Sequence, residues 1–269
     1  MSSNYRGEEA LAAAPIGGLM LRLAVPAVAA QLINMLYNIV DRIYIGHIPV
    51  VGKTALTGLG VSFPILMLVS AFAAFSGMGG APLASIRLGA GDRKGAEQIL
   101  GNSTTLLLGT AAVLTVFFSL FKRPLLMAFG ASEDTVGYAL EYLSIYLLGT
   151  VFVQLALGLN TFISAQGKAL TSMLSVLIGA VLNIVLDPIF IFGFQMGVRG
   201  AALATILSQA VSACWVVGFL CTKRSGLRIR LANMALKKEI VSRIAALGVA
   251  AHEAGHAIQD AQDYAPLRI

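Results

Sequence analysis

Long apolar stretches free of charge recur along the chain. Arg22 to Asp41 encloses 18 uncharged residues, Lys53 to Arg87 33, Glu97 to Lys122 24, Glu141 to Lys168 26, Lys168 to Asp187 18, and Arg199 to Lys223 23. A helix crosses the hydrocarbon core of a bilayer with roughly 18–20 such residues. The pattern therefore predicts six spanning helices, near residues 17–45, 55–80, 98–121, 138–163, 170–192 and 199–221. A membrane barrel needs segments of roughly ten residues with period-two alternation, and the sequence holds none. The predicted fold class is all-α: a polytopic membrane protein built on a six-helix transmembrane bundle. Breaker-rich turns join the spans at Gly89–Lys94 and Gln166–Lys168 on one side and at Gly130–Asp134 on the other. Ser132 is placed to cap the helix that follows. Gln31, Asn34 and Asn38 make the first stretch too polar for a cleaved signal peptide, so it reads as a retained span.

Composition agrees with this pattern. Apolar residues make up 57% of the 269 and charged ones 12%, against roughly 25% charged in a soluble domain. That balance excludes a disordered chain, a nucleic-acid-binding arm and a typical cytosolic enzyme. The net charge of +6 is unevenly placed. With the N-terminus inside, 13 Lys/Arg fall on the inner side and 5 on the outer, with Arg268 left in the tail. This bias predicts a multi-pass membrane protein with both termini cytoplasmic. The basic run 223–243 has no interleaved aromatics, so it reads as an inner flank and not as a nucleic-acid site. Within and beyond it, Leu236, Ile240, Ile244 and Leu247 recur at helical spacing. They predict an amphipathic helix on the inner membrane surface, or a plain linker helix. Cys214 and Cys221 are seven residues apart on one helix, about 10 Å and too far for a disulfide.

Ionisable residues inside a membrane cost several kcal/mol unless paired or hydrated, which makes them functional candidates. Asp41 lies five residues before Gly46, and Asp187 six before Gly193. Both carboxylates then fall roughly 7–9 Å below the outer boundary. Asn183 is one turn below Asp187, and Thr205 enters the sixth span at a similar depth. These four offer carboxylate, amide and hydroxyl oxygens that can coordinate Na⁺ or take up a proton. Pro188 removes a backbone donor beside Asp187 and frees the Ile184 carbonyl. Tyr37, Asn34 and Asn160 are candidate cavity residues. Spacing alone leaves snorkelling or interhelical hydrogen bonding as the competing role for all seven.

The residues that carry these features resemble the multidrug and toxic compound extrusion (MATE) family. The resemblance rests on Val25-Pro26-Ala27 through Asn34–Arg42, Gly58–Pro64, Arg87–Asp92, Ala165-Gln166-Gly167, Asn183–Pro188 and Gly200–Thr205, in order over residues 1 to about 248. It implies antiport of drugs and organic cations against Na⁺ or H⁺ by alternating access. It also implies an ion site at Asp41, Asn183, Asp187 and Thr205. The family pattern is two six-helix lobes around a central cavity, so a single lobe needs a second one or a homodimer beside it, within the membrane lipids. A lipid-linked oligosaccharide flippase shares this architecture, and the Asp41–Asp187 pair argues against it.

Beyond Gly248 the chain reads Ala251-His252-Glu253-Ala254-Gly255-His256. Two histidines four apart with Glu after the first form the HExxH pattern, with His252 and His256 as zinc ligands and Glu253 as general base. The longer run resembles a membrane-bound neutral zinc metallopeptidase. A catalytic zinc takes three protein ligands, and Asp260 is about 12 Å along the helix from His252. The expected organisation is a lobe at 1–222, a basic amphipathic helix or linker at 223–248, and a peptidase-like tail at 249–269. On this reading the chain is half a transporter joined to a peptidase fragment. It is expected to be no enzyme and to need no cofactor beyond its coupling ion, a membrane-anchored peptidase and a non-functional hybrid being the alternatives.

Overall fold

The computed structural model describes residues 16–261. Eight α-helices follow one another: α1 (Ile16–Gly46), α2 (Gly52–Gly89), α3 (Arg93–Ala128), α4 (Glu133–Leu148), α5 (Thr150–Ala165), α6 (Ala169–Pro188), α7 (Val198–Cys221) and α8 (Lys238–Ala261). A π-helical turn (Ile189–Gly193) continues α6, and a short 3-10 turn (Leu231–Asn233) precedes α8. Five of the helices are long and apolar enough to cross a membrane, and α4 with α5 brings the number to six if that bent pair counts as one span. The chain is an all-α, multi-pass membrane protein.

The bundle buries two apolar layers stacked along its length. One gathers Ile65, Val69, Leu126, Leu143 and Leu147 near the end that carries the α1–α2 and α3–α4 loops. The other gathers Leu100, Leu107, Leu159, Phe162 and Leu220 at the opposite end. Gln154, fully buried, lies where the layers meet and donates from Nε2 to the Val69 carbonyl at 2.8 Å. Outward-facing apolar side chains such as Val28, Met35, Val116 and Leu120 are more than half exposed. In a bilayer such a surface faces lipid, which is as apolar as the core.

The fourth span differs from the single helix expected at 138–163. It breaks at Gly149, and its two halves meet at 60°. Composition gives no warning, because the stretch stays apolar through the break. The surroundings are tertiary: a Cβ on Gly149 would fall 2.1 Å from the Ile206 side chain, so α7 passes where a side chain would stand. Thr115 Oγ1 donates to the Leu147 carbonyl at 3.0 Å, satisfying a group that the break releases. Non-helical backbone at membrane depth is tolerated where neighbours supply such bonds. At the start of α4 the Ser132 N–H donates to Thr135 Oγ1 at 2.9 Å, within a capping box.

The helix expected within 223–248, as an inner-surface or linker helix, forms the first part of α8. It packs against α2 and buries Ile244 completely. Gly79 permits this approach: its Cβ would fall 2.1 Å from the Ile244 carbonyl oxygen. The helix runs unbroken through Gly248, Glu253 is exposed upon it, and the side chains of His252, His256 and Asp260 lie outside the described residues.

Candidate functional site

Three helices bring polar groups into the apolar layer at the end that carries the α1–α2 and α3–α4 loops. Near the end of α1, Asp41 is 7% exposed, while Asn183 and Asp187 on α6 are 2% and 0% exposed. The carboxyl groups of Asp41 and Asp187 are neighbours. Asn183 Nδ2 donates to Asp187 Oδ1 at 3.3 Å and to Thr205 Oγ1 on α7 at 3.5 Å. The four residues singled out by depth therefore form one cluster.

The helices meet there for local reasons. Pro188 follows Asp187 and lacks a backbone N–H, so α6 gives way to the π-helical turn at Ile189. Such turns are frequent at functional sites. Gly200 lets α7 start close beside that turn, since a Cβ there would fall 2.7 Å from the Phe190 carbonyl carbon.

Two carboxylates so close repel, and the strain is relieved by a shared proton or a cation between their oxygens. The cluster is built to receive one. Asp41 Oδ1, Asp187 Oδ2 and Asn183 Oδ1 are all buried with no hydrogen-bond partner among the described residues. Three orphaned oxygens, two of them on carboxylates, form a donor set suited to a hard cation. No lysine or arginine reaches either carboxylate within ion-pair distance among the described residues. The neighbouring Arg42 guanidinium stacks over the Phe63 ring at 5.3 Å.

Sequence reasoning missed the aromatic side of this site. Tyr142 and Tyr146 on α4 are buried, their rings stacked with centroids 6.0 Å apart. Tyr142 stands beside Thr205, and Gln209 lines the same cavity as Tyr37 and Thr205. The signal available was two phenols four residues apart on one span, a weak one, because tyrosine is common in such helices.

Deeper along the bundle a cavity of about 50 Å³ opens below the carboxylates, room for a few waters. Asn34, Tyr37, Asn160, Asn183, Thr205 and Ser208 are among its lining residues. All three expected cavity residues thus face one space together with two of the cluster. Within its lining Ser175 Oγ donates to Asn160 Oδ1 at 3.0 Å, and Ser212 Oγ to the Ser175 carbonyl at 2.9 Å.

Residues 26–189 match the MatE family model, and residues 228–269 match a second one, "Putative neutral zinc metallopeptidase". The chain is 28% identical over 232 residues to the multidrug export protein MepA of Staphylococcus haemolyticus, covering 86% of this chain and 51% of that protein. MepA of Staphylococcus saprophyticus is 29% identical over 231 residues, covering 85% and 50%. Among solved structures, a MATE in the bent conformation superposes with a TM-score of 0.82 and 31% identity, over 90% of this chain and 54% of that one. An outward-facing multidrug resistance MATE transporter gives 0.79 and 31%, over 86% and 51%. The chain therefore spans about half the length of the relatives it matches.

Proposed function

Because the chain belongs to the MatE family, we propose that it works as one lobe of a cation-coupled efflux antiporter for drugs or organic cations. Asp41, Asn183, Asp187 and Thr205 bind the coupling ion, Na⁺ or H⁺. Tyr37, Asn34 and Asn160 line the aqueous space through which ion or substrate communicates with the site. A second lobe, from another copy of the chain or a partner, closes the transport cavity. The observation that carries this reading is the buried carboxylate pair with three orphaned oxygens around it. An ion arriving there replaces carboxylate repulsion by coordination and draws α1 towards α6 and α7. That gives the ion differential affinity for two arrangements of the lobe, which coupling requires.

Ion binding and transport are tested separately. Purified full-length protein is titrated with radioactive sodium, and proton release on sodium addition is followed in the same sample. Saturable sodium uptake, or a titrating proton, is expected in the parent and absent in Asp41→Asn and Asp187→Asn. Binding that is unchanged in both variants overturns the site. Ethidium efflux from everted vesicles, driven by an imposed sodium or proton gradient, then reports transport.

The second family match supports another reading, a zinc peptidase acting through His252, His256 and Glu253. HExxH supplies two of the three protein ligands that a catalytic zinc takes. Zinc-dependent peptide cleavage that is lost in Glu253→Gln would establish this reading in place of the first.

A further inference from the structure

The seam between α2 and α8 joins two cavities of opposite chemistry. At its loop end lies a polar pocket of about 360 Å³, bordered by Arg87, Lys94, Lys237 and Arg243 and by two acids, Asp92 and Glu239. Four cations against two carboxylates leave it with a surplus of two positive charges. Arg87 is engaged by Asp92 at 2.9 Å, whereas Lys94, Lys237 and Arg243 have no ion-pair partner among the described residues. The first turns of α3 and α8 both border the pocket, and helix N-termini attract anions.

Further along the same seam is an apolar groove of about 410 Å³, formed by Ala71, Phe72, Ala74, Phe75, Met78 and Gly248. Leu83 borders the pocket and Met78 the groove; Arg243 and Gly248 stand in the same relation on α8. Five residues separate each pair, about 7.5 Å along a helix. Phe72, Phe75 and Met78 are 42%, 38% and 47% exposed. The seam itself is held closed by Ile244 against Gly79.

We propose that this seam binds an anionic phospholipid, its headgroup phosphate among Lys94, Lys237 and Arg243 and an acyl chain along Phe72, Phe75 and Met78. Charge complementarity selects the lipid. A zwitterionic headgroup carries its own cation into a pocket already in positive surplus, and a soluble anion leaves the groove unfilled. An amphiphile with a negative head satisfies both cavities at once, at the boundary where basic pockets between helices hold lipid headgroups. The bound lipid braces α8 against α2.

The test is native mass spectrometry of the purified full chain, titrated with phosphatidylglycerol, phosphatidylcholine and inorganic phosphate. Phosphatidylglycerol is expected to bind in preference to phosphatidylcholine and to resist competition by phosphate. Lys237→Gln with Arg243→Gln should weaken it about thirtyfold, from the usual worth of two basic residues facing an anionic surface. Ala74→Trp, which fills the groove and leaves every charge in place, should weaken it too. The charge-keeping pair Lys237→Arg with Arg243→Lys should bind as the parent does, and circular dichroism establishes that each variant is folded. Equal binding of the two lipids overturns the proposal, as does full retention in either the double Gln variant or Ala74→Trp. Displacement by inorganic phosphate alone would make the pocket a free-anion site and overturn it as well.

Discussion

Glu97 shows what a single carboxylate does away from the ion site. It is 4% exposed in the second turn of α3 and accepts from Arg230 Nε at 2.9 Å and Arg93 Nε at 3.4 Å. The loop after α7 is thereby drawn onto α3, where Lys237 N donates to Asn102 Oδ1 at 2.7 Å and Thr105 Oγ1 to the Met234 carbonyl at 2.6 Å. Both arginines are about half exposed, so solvent screens part of the attraction. Glu97→Gln is expected to cost about 1–2 kcal/mol through the lost charge-assisted bonds, measured by denaturant unfolding in detergent. Close by, the Gly95 N–H and the Arg87 guanidinium hold the Asp92 carboxyl below the usual carboxylate range. That contribution is present above the carboxyl's unfolded pKa and fades as pH falls through the lower folded one. Burial lowers Lys168, whose ammonium bonds the Arg224 carbonyl and lies over the Phe219 ring. Asp41 and Asp187 were legible in the sequence because a carboxylate deep in an apolar run has few innocent explanations. Glu97 was not, since it stands at the edge of a charged turn and its partner Arg230 is 133 residues away along the chain.

At the scale of elements, the spans follow from charge-free length, and the break between α4 and α5 does not. The break depends on which helix passes Gly149, a tertiary fact that a one-dimensional pattern cannot carry. It lies close to the carboxylates, because α4, the half before the break, carries Tyr142 and Tyr146. Gly149→Leu forces a side chain into Ile206 and is expected to destabilise the bundle by about 1–3 kcal/mol, as overpacking does. Ile206→Ala opens the space, so the double variant should recover part of that loss. A double-mutant cycle of thermal unfolding measures the coupling, and strictly additive effects would mean that the two residues do not compete for one volume.

At the scale of the whole molecule, the two stacked layers define two faces. The loops 47–51, 129–132 and 194–197 emerge beside the layer that holds the carboxylates. The loops 90–92, 166–168 and 222–237 emerge beside the other, with Arg93, Lys94, Lys168, Lys223, Arg224, Arg228, Arg230 and Lys237 in or next to them. Lys and Arg are retained on the cytoplasmic side during insertion. That rule predicts that the carboxylate pair lies nearer the outer face, so that the proposed ion site is reached from outside before the cavity below. Cysteine labelling in intact cells tests this orientation. In a background with Cys214 and Cys221 replaced by serine, Lys53→Cys in the first turn of α2 should react with a membrane-impermeant maleimide. Lys94→Cys and Lys223→Cys should stay unlabelled until the cells are opened. The reverse pattern would put the basic face outside and the carboxylates at the inner end, reversing the side from which the proposed site is reached.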